Sequence, residues 1–314
     1  MKKYLTTKWS VICIAIFCSI LWGSAFPVLK VSYEELQMVP EDTIAKVVFA
    51  GMRFLLAGVI LLVGLFFINR KALVISRKQI PVLIVFGVTQ TALQYFFFYN
   101  GLANTTGMKG AILDASGTFF TVMLAHYFYV NDKMNWQKTV GLILGFTGIV
   151  VANWGTGFQM SFKFTGEGYM ILAALTGAVG TIMAKEMAIG IHPFALTGWQ
   201  LTIGSVLLLV IGLPQLQENA MSFTPLGWWL FIYSAFLSAT AFALWYSILK
   251  YNKAGEISIY RFVTPVSGAI LSALFIPGEK LTLLVIGALA LVAVGFIAIN
   301  YKPKIQSEEQ SAKS

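Results

Sequence analysis

The sequence predicts an all-α integral membrane protein with ten transmembrane helices, arranged as two inverted-topology five-helix repeats. Three observations carry this. The 314 residues are 58% hydrophobic and only 11% charged, too little polar surface for a soluble domain of this size. Apolar stretches recur at 9–30, 44–68, 80–101, 108–130, 137–154, 167–188, 193–213, 225–248, 255–276 and 281–300. Each is close to the roughly 20 residues that cross a bilayer. Finally, the second half repeats features of the first at a constant spacing.

In lipid, backbone groups must satisfy one another within a segment, so each stretch is expected to be a helix. The first is preceded by Lys2, Lys3 and Lys8 and contains Gly23-Ser24-Ala25, a weak signal-cleavage match. Its run from Trp9 to Leu29 is long for a signal core, which makes it a first span. The third and fourth stretches meet at Asn104-Thr105-Thr106-Gly107, and the ninth and tenth at Pro277-Gly278. Such short junctions imply antiparallel neighbours. With the N-terminus inside, 15 basic residues fall on the inner side and 5 on the outer, with Arg53 and Arg261 inside spans. Both termini are therefore expected in the cytoplasm, in the cell membrane.

The net charge of +9 does not point to nucleic acid. The basic residues form short clusters between apolar runs, without a basic face or stacking platform. Cys13 and Cys18 lack metal spacing and read as core residues. No cofactor and no metal are expected. The expected partners are a small-molecule substrate and the lipid bilayer, with the chain a monomer or homodimer.

Aligning Glu279 with Asp132 gives an offset of 147. The same offset pairs Tyr246 with Tyr99, Leu249 with Leu102, Gly295 with Gly148, Asn300 with Asn153, and Gln200 with Arg53. The sixth stretch follows at an offset of 155, which pairs Lys185 with Lys30 and Ala178 with Gly23. The repeats are read as 1–155 and 156–300, followed by a cytoplasmic tail at 301–314. Five spans is an odd number, so the second repeat enters from the opposite side. Transporters built this way hold substrate near the midplane, between the halves.

The residues Trp22-Gly23-Ser24-Ala25-Phe26, Arg53-Phe54, Asp132-Lys133, Pro265, Gly278-Glu279-Lys280, Ile286-Gly287-Ala288 and Gly295 stand in order along nearly the whole chain. Together they resemble the drug/metabolite transporter superfamily, in its ten-helix EamA-like branch. The resemblance implies a pore lined by stretches 1, 3, 4, 6, 8 and 9, and export of amino acids or other small metabolites. The chain departs at Thr118, the repeat partner of Pro265, where the family often has proline.

Charges inside spans are expected to face a cavity rather than lipid. Asp114 and Arg261 are repeat partners. Asp114 could bind a substrate amine or a coupled proton, and Arg261 a carboxylate or phosphate; the plain alternative is a structural ion pair. Each lies about 9 Å from its own membrane edge, so their depths differ by about 12 Å, which disfavours a direct pair. Arg53 is expected to snorkel outward or pair with Glu41 or Asp42. Lys30 and Lys185 read as anchors, and Asp132 and Glu279 as capping or loop-pairing groups beside a lysine.

Gln90 and Gln94 share a helix face that continues to Phe98, with Tyr99 next and Trp245 as Phe98's repeat partner. The candidate substrate-binding set is Trp22, Gln90, Gln94, Phe98, Tyr99, Asp114, Thr118, Thr181, Trp245, Tyr260, Arg261 and Thr264. Its mix of aromatic walls and few polar tips suits a small amphipathic solute. Gly141, Gly145 and Gly148 form a face for close helix packing.

The function expected is a secondary transporter, alternating access around a midplane site. No phosphate-binding loop supports ATP-driven pumping. Drugs or sugars are alternative cargo. An intramembrane enzyme is the second class: His126 and His192 are the only histidines, without H-E-x-x-H or an aspartate pair. A channel or sensor is the third. No enzyme activity is expected.

Overall fold

The computed structural model describes residues 2–39, 42–104, 107–152, 162–276 and 283–300. Its elements are helices: α1 (Lys2–Thr6), α2 (Lys8–Glu35), α3 (Thr43–Asn69), α4 (Ile80–Gly87), α5 (Gln94–Ala103), α6 (Gly107–Phe128), α7 (Trp136–Ala152), α8 (Tyr169–Gly190), α9 (Pro193–Gly212), α10 (Pro225–Tyr251), α11 (Ala254–Ser258), α12 (Val263–Phe275) and α13 (Leu283–Asn300). Among the described residues, seven helical segments are long and apolar enough to cross a membrane: Lys8–Glu35, Thr43–Leu73, Ile80–Leu102, Phe164–Gly190, Pro193–Gln215, Pro225–Tyr251 and Ala254–Phe275. Helices α6, α7 and α13 coincide with three further apolar stretches. The acid at Glu279, and the Pro277-Gly278 junction, lie outside the described residues.

Two segments expected as uninterrupted helices are broken. Between α4 and α5 the chain makes a π turn, Val88–Leu93, and between α11 and α12 a 3₁₀ turn, Ile259–Phe262. Such irregular turns leave backbone groups differently aimed and recur at functional sites. Here they carry Gln90 and Arg261.

Glycines set the close crossings. A Cβ on Gly23 of α2 would lie 2.7 Å from the Thr264 carbonyl oxygen and 2.9 Å from the Gly268 nitrogen of α12. A Cβ on Gly58 of α3 would lie 2.9 Å from the Gly198 carbonyl oxygen of α9. Where lipid supplies no hydrophobic drive between helices, backbone approach of this kind provides the packing contact. Gly145 of α7 lies against the Phe262 ring, and a Cβ on Gly295 of α13 would lie 3.4 Å from the Gly141 carbonyl oxygen, so the α7 glycine face is used within the chain. Large apolar side chains such as Phe67, Ile68, Val210, Trp229 and Phe236 point outward, as a lipid-facing surface requires.

One end of the bundle is closed by polar contacts. Asp132, 1% exposed, ion-pairs with Lys138 rather than with the adjacent Lys133, and accepts from the Gly255 nitrogen at 2.8 Å. Lys185 donates to the carbonyls of Leu249, in the last turn of α10, and of Asn252, its C-cap, as a cation at a helix C-terminus does. Asn252 Nδ2 donates to the Leu5 carbonyl at 2.9 Å.

Candidate functional site

A cavity of about 370 Å³ lies between the helices. Helix α2 contributes Trp22, Phe26, Lys30 and Tyr33; the π turn and α5 contribute Gln90, Gln94, Tyr95, Phe98 and Tyr99; α6 contributes Asp114 and α8 Thr181. Ser238, Phe242, Trp245 and Tyr246 come from α10, Arg261 from the 3₁₀ turn and Thr264 from α12. Arg53 is the contribution of α3. The cavity reaches the surface at the exposed Lys30, while Trp245 and Tyr246, each 2% exposed, lie at its buried end.

Ten of the twelve predicted residues line this cavity: Trp22, Gln90, Gln94, Phe98, Tyr99, Asp114, Thr181, Trp245, Arg261 and Thr264. Thr118 and Tyr260 do not. Thr118 is one helical turn beyond Asp114 and 3% exposed, where α6 closes on α8; a Cβ on Gly117 would lie 3.3 Å from the Ala174 carbonyl. Tyr260 is 5% exposed and its carbonyl accepts from Ser19 Oγ at 3.1 Å, so it fastens the 3₁₀ turn to α2.

Local packing aims the polar groups. Gln90 Nε2 donates to Gln94 Oε1 at 2.8 Å. Both side chains lie over glycines of α8: the Gln90 amide fills the place of a Cβ on Gly180, and Gln94 Nε2 would lie 2.7 Å from a Cβ on Gly177. Arg261 stands 5.4 Å from the Trp22 ring centroid, and Trp22 packs edge-on against Trp245 and Phe242 at 5.3 and 5.4 Å. This cation–π arrangement holds a guanidinium inside the bundle. Asp114 and Arg261 feel each other's charge but form no ion pair within 4.0 Å.

Sequence reasoning misplaced Arg53. It does not snorkel: it is 4% exposed and lines the cavity. It pairs with no acid among the described residues, and Asp42 instead caps α3, accepting from the Ala45 nitrogen at 2.9 Å. Glu41, its other expected partner, lies outside the described residues. Tyr95 was missed too. It stacks on Phe54 at 4.3 Å, within electrostatic reach of Arg53, Tyr99, Asp114 and Arg261. The signal was the aromatic run Tyr95–Tyr99, whose cavity-facing members depend on the π turn. His126, in the last turn of α6, accepts from the Met134 nitrogen at 2.9 Å and does not line the cavity.

The EamA-like transporter family model matches residues 9–154 and again residues 164–301. The chain belongs to the EamA-like transporter family. It is therefore a multi-pass membrane protein of the drug/metabolite transporter superfamily. The chain is similar to the Bacillus subtilis (strain 168) protein named "Uncharacterized transporter YvbV", 28% identical over 296 residues, or 92% of this chain and 91% of that protein. "Uncharacterized transporter YetK" of the same organism is 31% identical over 232 residues, 72% of this chain and 70% of that one. A crystal structure with 15% identity superposes with a TM-score of 0.77, covering 94% of this chain and 97% of the other, a likeness of fold alone.

Proposed function

We propose that this EamA-like chain is a secondary transporter with ten transmembrane helices in two inverted repeats, 1–155 and 156–300, exporting small amphipathic metabolites such as amino acids from the cytoplasm across the cell membrane. The observation that carries the reading is a cavity lined by both halves in a bundle whose helix pairings are symmetric. Helices α3 and α9 pack together, as do α7 and α13; each couple joins repeat partners. The α6–α8 contact has its counterpart in α2–α12, and α5–α8 in α2–α10. Exchanging the repeats returns the same pairings, as a two-fold axis in the membrane plane requires. Two family matches in tandem support the same division.

With the N-terminus cytoplasmic, the cavity mouth at Lys30 faces outside and the Asp132–Lys138 end seals the inside. The chain is then in an outward-facing state. Alternating access breaks the inner contacts among Asp132, Gly255, Asn252 and Leu5 while the Lys30 side closes. Among the described residues, Asp114 is the acid lining the cavity, which makes it the candidate for a coupled proton.

Proteoliposomes preloaded with one solute at a time test this. Counterflow of a labelled solute, accelerated by the same solute inside, is the carrier result; flux that ignores preloading is the channel result and refutes alternating access. In Asp114→Asn, pH-dependent transport is expected to disappear. Unchanged pH dependence removes the proton role.

A further inference from the structure

We propose that Arg53 is a carboxylate-binding residue and that the cargo is a small organic anion of net charge −1, a reading that rests on the transport assignment above. Arg53 is 4% exposed and lines the cavity, yet its Nε and Nη1 have no hydrogen-bond partner among the described residues. A guanidinium stays protonated in any protein setting. Burying it with two open N–H groups is costly unless an anion completes it.

The side chain is held in place without being neutralised. Its guanidinium carbon stands 4.3 Å from the Phe54 ring centroid, and Phe54 in turn stacks on Tyr95 at 4.3 Å. Asp42 is spent on capping α3 and lies 11 positions away, roughly 16 Å along the helix. The Tyr99 hydroxyl, also buried and without a hydrogen-bond partner, sits with Arg53 in reach of Tyr33 and Tyr95. A forked cation beside a buried hydroxyl matches a carboxylate.

Charge balance sets the class. Within the cavity wall Asp114 in its deprotonated state offsets one of Arg53 and Arg261, leaving one positive charge; Lys30 is exposed at the mouth, where water screens it. A carboxylate cargo of net charge −1 restores neutrality, whereas a neutral amide does not. The second repeat gives an internal control. Gln200, the repeat partner of Arg53, donates to Thr91 Oγ1 and accepts from Tyr246, the repeat partner of Tyr99, at 3.4 Å. The pair that is closed upon itself in one half is charged and open in the other.

The test uses the purified full chain with matched probes that differ only at the carboxylate, hexanoate against hexanamide and benzoate against benzamide, in thermal-shift and binding titrations. The expected result is stabilisation by a carboxylate and not by its amide. Binding should weaken about ten- to a hundredfold in Arg53→Gln and be partly kept in Arg53→Lys. Tyr99→Phe, a milder change, should weaken it several-fold and serves if Arg53→Gln does not stay monodisperse. Equal shifts by amide and acid, no shift by either acid, or full affinity in Arg53→Gln would each overturn the proposal. Transport of a neutral solute, unaffected by Arg53→Gln, would overturn it while leaving the transporter reading standing. Carboxylate binding without any flux would do the reverse.

Discussion

The sealed end of the bundle and its cavity treat buried polar groups in opposite ways. At the sealed end Asp132 holds Lys138 and the Gly255 nitrogen, Lys185 takes two carbonyls, and Asn252 ties α10 to Leu5. In the cavity the Arg53, Gln90, Tyr99 and Thr264 side chains keep buried atoms without partners, five of the eight such atoms among the described residues. At the sealed end the charged groups are paired within the protein, though the Tyr129 and Ser258 hydroxyls beside them have no hydrogen-bond partner among the described residues, so the ion pair and the Lys185 contacts contribute stability and closure. The cavity leaves its polar groups open, a cost in stability that a bound ligand would offset.

Substitutions can break or sharpen that contrast. The largest expected effect is at Asp132. Asp132→Asn leaves Lys138 as a buried uncompensated cation, and unfolding in detergent should show a loss of about 3–5 kcal/mol; a loss below 1 kcal/mol would mean that the inner seal holds nothing together. Next is Gln200→Leu, which strands Thr91 and Tyr246 and should cost about 1–3 kcal/mol in the same measurement. Arg53→Gln should change the stability of the unliganded chain by less than about 1 kcal/mol, or raise it, because the charge it removes has no partner. If Arg53→Gln destabilises as much as Gln200→Leu, the cavity is not the open region described above.

The smallest effect concerns His192, in the loop before α9. Burial pushes its imidazole below its ordinary value of 6.5, and the nearby Lys250 pushes the same way. The folded state therefore resists a proton that the unfolded state accepts, so stability falls as pH drops below about 6.5. Melting curves at about pH 7.5 and 5.5 should show this, with His192→Gln flattening the difference.

Much of the bundle was legible because lipid makes hydropathy a direct readout of helix position. The Gln90–Gln94 pair was legible too, since i, i+4 spacing puts both on one face, and the structure joins them by a hydrogen bond. What a single helix cannot disclose is which side its neighbours occupy. Arg53 lies in the N-terminal half of α3, where a long side chain reaching for the near end of the helix is the ordinary outcome, and the packing of α3 against α5 and α10 buries it instead. Thr118 and Tyr260 stand outside the cavity lining for a related reason. They lie on cavity-forming elements at levels where the walls have already met, and depth of closure follows from glycines such as Gly117 rather than from the residues themselves. Tyr95 depended on a break in helical periodicity that hydropathy does not record.

That break has a mechanical consequence. The π turn Val88–Leu93 holds one residue more than an α-helical turn would. Each residue in an α-helix advances the chain by about 100°, so passing that surplus along the helix would swing everything beyond it by a comparable angle. Tyr95, Phe98 and Tyr99 ride on that segment. Moved along the helix, that surplus residue would turn the wall like a screw, exchanging one set of aromatic faces for another while α4 stayed seated.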